Sequence, residues 1–143
     1  MVYIYSYLDK ENDKDVINYV MENFGENVQR KLINKITAKI QNFCENMDTD
    51  GVMAKNAEWP ICYFLLDVPN SDKKLRIFFA YRKNKFVLLT AHLIKPKIYW
   101  KKKEKKSIDK TYYEKISFSK LVYDDFVKKQ EYDYKDITDD FIN

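Results

Sequence analysis

The chain contains little glycine, cysteine or histidine, and these shortages exclude particular kinds of binding site. Its two glycines among 143 residues exclude a G-x-G-x-x-G dinucleotide fingerprint, which needs three glycines close together. The single histidine, His92, and the two distant cysteines, Cys44 and Cys62, provide no metal-ligand spacing. We therefore expect no metal and no cofactor, and we interpret both cysteines as reduced packing residues.

Long apolar runs are also missing. No segment approaches the roughly 18 residues of a membrane span, and the start, MVYIYSYLDK, lacks the basic and apolar regions of a signal peptide. We therefore expect a cytoplasmic protein with no membrane partner. The three prolines form no Pro/Gly/Ser linker, so we expect a single domain over residues 1–143.

The net charge of +4 is unevenly distributed along the chain. Residues 82–106 hold ten cations against one acid, and residues 124–140 hold seven acids against three lysines. A basic segment of this density favours a polyanionic partner, with simple nucleic-acid binding through residues 95–106 as one form of it. The alternative is a solvated lysine-rich loop at 97–111 whose charge is compensated by an acidic tail at 128–143.

Hydrophobic periodicity indicates an α+β fold. It predicts a strand at 2–7, helices at 13–24 and 26–47, a strand at 59–68, a strand pair at 75–94 and a short C-terminal helix that Ser117 or Ser119 caps. The one-glycine connection at Gly25 predicts that the first two helices form a hairpin. Together these elements predict a small antiparallel-dominated sheet, with the two-helix hairpin packed on one face.

The strand pair at 75–94 gives the most specific structural prediction. Leu75, Ile77, Phe79 and Tyr81 alternate with Arg76, Phe78, Ala80 and Arg82, and the second strand groups Val87, Leu89, Ala91 and Leu93 as its apolar face. A two-residue loop would pair Arg76 with Ala91 and mix the faces. A three-residue loop of Lys83, Asn84 and Lys85 places Arg76 opposite His92, on an open sheet face turned away from the helices.

This arrangement is compatible with RNA cleavage by the 2′-hydroxyl, which needs an acid, a base and cations. His92 titrates near neutrality and Arg76 can clamp a phosphate. Tyr99 and Trp100 can stack bases. Lys95 joins Arg76 and His92 as a candidate catalytic residue. Further phosphate contacts are expected from Arg82, Lys97, Lys101, Lys102 and Lys103. The alternative is structural, since a lone histidine on a strand is more often a hydrogen-bonding residue than a catalyst.

The same stretch resembles the RelE/HigB-type toxins of bacterial and phage toxin–antitoxin modules. The similarity lies in Arg76-Ile77-Phe78-Phe79-Ala80-Tyr81, in Val87-Leu88-Leu89 through His92 to Lys95 and Lys97, and in the opening YIYSYLDKENDKDVINYVMENF. It implies that Arg76 is the family's sheet arginine, that Lys95 or Lys97 closes the last strand, and that Tyr99 stands for a catalytic tyrosine.

The resemblance further implies a metal-independent endoribonuclease that cuts mRNA on the ribosome and is neutralised by a cognate antitoxin protein. Two alternatives stay open. One is a non-catalytic protein that binds another protein as an inhibitor or adaptor, since tyrosine is abundant in binding surfaces. The other is a gyrase poison, because relatives with this fold include poisons without ribonuclease activity.

Overall fold

The apolar pattern of the chain produces three helices and a seven-stranded sheet in the part of the chain that the structure describes. This computed structural model describes residues 3–9, 14–46, 55–58, 60–95, 102–128 and 133–139. The elements in chain order are β1 (Tyr3–Asp9), β2 (Lys14–Asp15), α1 (Val16–Met21), α2 (Glu26–Asn46), β3 (Lys55–Glu58), β4 (Ile61–Asp67), β5 (Lys74–Arg82), β6 (Lys85–Ile94), α3 (Lys102–Lys128) and β7 (Asp133–Asp136).

The sheet has the strand order β2-β1-β6-β5-β4-β3, and β7 pairs with β1. β1 runs parallel to β6, whereas the other strand pairs are antiparallel. The fold is therefore α+β with a mixed sheet, which corrects the prediction of an antiparallel-dominated one. The parallel pair arises because the chain passes through α1, α2 and four strands between β1 and β6, and returns in the direction of β1.

The first hydrophobic core lies between the sheet and the helices α1 and α2. α2 directs Leu32, Ile36, Ile40 and Phe43 into it, each at most 2% exposed, at the three- and four-residue steps of one helix face. α1 adds Val16 and Ile17, and Asp15 caps it by accepting a hydrogen bond from Asn18 N at 2.8 Å. The arrangement of α1 and α2 as a hairpin stays a prediction.

A second core lies on the opposite face of the sheet, where α3 packs. Ile116, Val122 and Tyr123 of α3 are buried there against sheet residues that include Phe78 and Val87. The prediction of an open sheet face is therefore wrong. The helix is amphipathic and its apolar side covers that face, which places the sheet between two helical layers.

The predictions of a short C-terminal helix and of a basic loop are both corrected by α3. It spans 27 residues and includes positions 102–111, while positions 97–101 lie outside the described residues. Lysine and glutamate are good helix formers, so the charged segment continues the helix whose apolar side begins with Tyr112 and Ile116.

The acidic tail is partly a structural element. β7 pairs with Tyr5–Leu8 of β1, and Ile137 and Thr138 are buried. Thr138 Oγ1 accepts a hydrogen bond from Ile4 N at 2.9 Å, and Lys135 Nζ lies 3.7 Å from Asp15 Oδ2. The tail residues 133–139 therefore complete the sheet, a role that the acidic composition of the tail did not indicate.

The β5–β6 turn has two residues and not the predicted three. Arg82 pairs with Lys85, and the turn residues Lys83 and Asn84 have φ values of 51° and 64°, as a type I′ turn requires. The register then shifts by one residue, because Phe78 pairs with Thr90 while Phe79 pairs with Leu88. Leu89 is the extra residue of this β-bulge.

The bulge changes which residues of β6 share a face. Val87 and Leu89 pack in the second core, whereas Phe86, Leu88 and Ala91 pack in the first. The predicted apolar set of β6 is therefore divided between the two faces. Beyond the bulge Arg76 pairs with His92, so this predicted pairing is confirmed although the predicted loop is wrong.

Candidate phosphate-binding site

Arg76 and His92 lie side by side on the sheet face that α3 covers. Arg76 Nη1 is 3.4 Å from His92 Nε2. Because a guanidinium has donors and no acceptor, the only hydrogen bond available between these atoms has Nε2 as the acceptor. In this arrangement the neutral imidazole carries its proton on Nδ1.

Two tyrosine rings, themselves a T-shaped pair with centres 6.0 Å apart, contact the guanidinium of Arg76. Its Cζ atom lies 4.9 Å from the ring centre of Tyr63 on β4 and 4.6 Å from that of Tyr112 on α3. Guanidinium groups stack favourably on aromatic faces. The tyrosine from β4 and the tyrosine from α3 therefore fix the plane and position of the arginine between the sheet and the helix.

Lys115 of α3 brings a third basic group to the same place. Its Nζ atom lies 3.5 Å from Thr90 Oγ1, and Thr90 precedes His92 by two residues on β6. The side chain is partly buried, and burial lowers the pKa of its ammonium group. We call Arg76, His92, Lys115, Tyr63 and Tyr112 the Arg76 cluster.

The electrostatics of the cluster favour an anion. Burial, then Arg76, then Lys115 lower the pKa of His92 from 6.5 to about 4, so His92 is neutral at pH 7. Burial, followed by Tyr63, raises the pKa of Tyr112, which keeps this phenol protonated. An anion between the cations would offset the electrostatic cost of placing them together in a region of reduced dielectric.

The predicted site residues separate into three groups. Arg76 and His92 are in contact, and Lys95 is exposed immediately after β6. Arg82 shares the sheet face but lies six residues along β5 from Arg76, about 20 Å at the usual rise of a strand. The remaining predictions fall elsewhere: Lys102 and Lys103 begin α3 without described side chains, and Lys97, Tyr99, Trp100 and Lys101 lie outside the described residues.

Sequence reasoning missed Tyr63, Tyr112 and Lys115. The spacing of Tyr112, Ile116, Ser119, Tyr123 and Phe126 follows one helix face, so it could have extended the predicted helix towards its N-terminus. With that extension, Tyr112 and Lys115 share the buried side of α3. Nothing in the local sequence of Tyr63 indicates that it packs on Arg76, since that contact depends on strand order.

Comparison with protein-family models, with curated proteins and with solved structures finds no match. Within the described ranges, no group of three or more histidine, cysteine or acidic side chains is arranged to hold a metal ion. Of the helices described, none is both long and apolar enough to cross a membrane.

Proposed function

We propose that the protein binds RNA through the Arg76 cluster and cleaves it as a toxin-like, metal-independent endoribonuclease. The contact between Arg76 and His92, with Lys115 beside them, carries the proposal. As the resemblance to RelE/HigB-type toxins implies, the substrate is mRNA, with the ribosome as the place of cleavage and a cognate antitoxin protein as the inhibitor.

The positive charge of the cluster stabilises the transition state of the reaction more than it stabilises the bound substrate. Attack of a 2′-oxygen on phosphorus adds negative charge to the phosphate oxygens in the transition state. Arg76 and Lys115 provide two cations at one partly buried position, where electrostatic stabilisation is stronger than in water. The tyrosines that hold Arg76 orient its donors before the substrate arrives.

The pKa values assign the proton transfers. His92 is neutral at pH 7, so its Nε2 accepts the 2′-hydroxyl proton once the phosphate has taken over the Arg76 donor. The lowered pKa of Lys115 makes its proton easier to transfer to the 5′-oxygen when the bond from phosphorus to that oxygen breaks. The products are a 2′,3′-cyclic phosphate and a 5′-hydroxyl end.

The test is cleavage of a defined mRNA in a purified translation system and as free RNA, in the presence of EDTA. We expect cyclic phosphate ends, growth arrest on induced expression, and loss of both in the double variant Arg76→Ala/His92→Ala. The matched control is Arg30→Gln on the exposed side of α2, which removes one positive charge far from the cluster. Toxicity and cleavage that persist in the double variant would overturn the catalytic assignment.

A second candidate function is non-catalytic binding of another protein, as an inhibitor, an adaptor or a gyrase poison. Its support is α3, which covers the sheet face that a ribonuclease would use, and the contact of Arg76 with two tyrosine rings, which also stabilises the fold. A stoichiometric protein partner together with intact RNA in the purified system would favour this candidate.

A further inference from the structure

Three side chains form a row across β5, β6 and β1, at the end of β5 that is far from the Arg76 cluster. Arg82 of β5 pairs with Lys85 of β6, and Lys85 pairs with Tyr3 of β1. Residues paired in this way point to the same side of a sheet, and neighbouring strands lie about 4.8 Å apart. Arg82, Lys85 and Tyr3 therefore stand next to one another, and we call them the tip row.

The tip row lies on the same face as the Arg76 cluster. Arg82 and Arg76 are separated by an even number of strand positions, and Tyr3 has the orientation of Tyr5, which packs in the second core. Burial raises the pKa of Tyr123 on α3 and Arg82 opposes this increase, so Arg82 lies near the C-terminal half of the helix. α3 thus runs along this sheet face from one basic region to the other.

The basic groups of the tip row are exposed and close together. Arg82 and Lys85 are exposed, as is Lys83 in the turn between them, and the structure shows no ion pair from any of the three to a described carboxylate. Like charges directly opposite each other on neighbouring strands are destabilising. A polyanion across the row would remove this repulsion.

The row is also fixed in position. Tyr3 N donates a hydrogen bond to Asn84 O at 2.8 Å, which ties the β5–β6 turn to β1. The Tyr3 side chain is 42% exposed and is next to Lys85 in the register. An aromatic ring beside two cations is the combination that binds single-stranded nucleic acid by stacking and by phosphate contacts.

We propose that the tip row is a second RNA contact, which holds phosphates and one base of the same single strand that occupies the Arg76 cluster. This inference rests on the proposed function. The two regions lie about 20 Å apart along β5, so a dinucleotide fills only the Arg76 cluster, whereas a strand of about 12 nucleotides reaches both.

The experiment compares binding of a dinucleotide and a 12-nucleotide RNA, both with 2′-O-methyl groups that prevent cleavage, over a series of salt concentrations. For Arg82→Gln/Lys85→Gln we expect unchanged dinucleotide affinity and a salt slope for the long RNA that is smaller by about 1.4, since each phosphate contact contributes about 0.7 on single strands. Tyr3→Ala lowers affinity for the long RNA about fivefold or more, and Tyr3→Phe does not.

The matched control is Arg30→Gln/Lys31→Gln, which also removes one arginine and one lysine. Both are exposed residues of α2, in the other helical layer. An equal salt slope in the tip and control variants would overturn the inference, while loss of binding in Arg76→Ala would still support the proposed function. If Arg76→Ala leaves dinucleotide binding intact, the proposed function itself fails. Weakened binding of polyglutamate by the tip variant, with an unchanged RNA slope, would assign the row to an acidic protein and exclude RNA.

Discussion

Arg76 faces His92 across β5 and β6, with Nη1 and Nε2 3.4 Å apart, and this pairing depends on the extra residue Leu89. The two-residue turn alone would place Arg76 opposite Ala91. The bulge between Phe78 and Phe79 moves the register by one residue and restores the pairing with His92. β-Bulges commonly re-aim side chains next to functional sites, and this bulge positions the two groups on which the proposed chemistry depends.

We predict that His92 destabilises the fold in mild acid. Its pKa is lower in the folded chain, about 4, than the 6.5 of an unfolded histidine. The unfolded state therefore binds the proton first, and stability falls as the pH drops from about 6.5 to about 4, with no further loss from this group below that. Allowing for solvent screening, the loss is about 1–2 kcal/mol. Urea denaturation at several pH values measures it.

His92→Gln is the control for this prediction, because it retains a polar side chain that does not titrate. The variant should lose this part of the pH dependence between about 4 and 6.5. An NMR titration of the wild-type imidazole with a midpoint near 6.5 would contradict the prediction directly, since His92 is the only histidine of the chain.

We predict that phosphate binding raises the pKa of His92. A phosphodiester near Arg76, Lys115 and His92 offsets the two cations that lower this pKa and competes for the Arg76 donor. By linkage, each unit of increase in the pKa corresponds to a tenfold tighter binding to the protonated form. NMR titration with a 2′-O-methyl diuridine, whose phosphodiester and bases keep a constant charge over this range, measures the effect. Burial raises the pKa of Tyr112, so this phenol stays protonated throughout.

A His92 pKa that is the same with and without saturating dinucleotide would show that the ligand binds elsewhere. The Lys115→Gln variant separates the contributions: it should raise the pKa of His92 in the free protein and reduce the further increase on binding.

We predict different effects for Arg76→Lys and Arg76→Ala. Both lose the guanidinium that contacts the rings of Tyr63 and Tyr112, so the free energy of unfolding, measured with urea, should fall by about 1–2 kcal/mol in both. Only Arg76→Ala removes the neighbouring charge, so only this variant should raise the pKa of His92 above about 4. Equal His92 pKa values in the two variants would mean that charge at this position has little effect.

We predict that Lys83→Asn stabilises the β5–β6 turn. Lys83 has a φ of 51°, which costs most L-residues about 1–2 kcal/mol, whereas asparagine adopts this conformation readily. A gain of about 0.5–1 kcal/mol is expected in the free energy of unfolding. Lys83→Val, a β-branched residue at the same position, should be destabilising, and the opposite order of the two variants would argue against a type I′ turn.

We predict that Thr138→Val destabilises the protein by about 1–3 kcal/mol. The substitution keeps the side-chain volume but removes Oγ1, which accepts the hydrogen bond from Ile4 N, and an unsatisfied buried donor has a cost of this size. Asp139→Asn, at an exposed neighbouring position, is the control and should have little effect. Equal stability of the two variants would mean that residues 133–139 do not complete the sheet.

Local patterns in the sequence were sufficient for the elements with a clear period. The prediction for α2 at 26–47 agrees with Glu26–Asn46, and the predicted strands at 75–82 and 86–94 agree with Lys74–Arg82 and Lys85–Ile94. These segments were predictable because one apolar face repeats at the helical or strand spacing over many residues. The alternation along β5 also correctly grouped Leu75, Ile77, Phe79 and Tyr81 on the first core.

The other elements, α3 and β7, depend on contacts between distant parts of the chain. Taken alone, the lysines at the start of α3 predict a loop. The helix is recognisable from the apolar side that it packs against the sheet. β7 is a short polar strand that β1 defines by pairing with it. The helical period of α3 appears only over the longer stretch from Tyr112 to Phe126, and β7 depends on a partner far away in the chain.

The sequence by itself determined the alternation that places Arg76 and Arg82 on one face of β5. It also provides a single histidine, which lies on the neighbouring strand β6. Only the tertiary structure decided that this face is covered by α3, that Tyr63 and Tyr112 contact Arg76, and that Lys115 lies beside them. The physical reason is that alternation follows from the backbone of each strand, whereas the neighbours of a side chain follow from how distant elements pack.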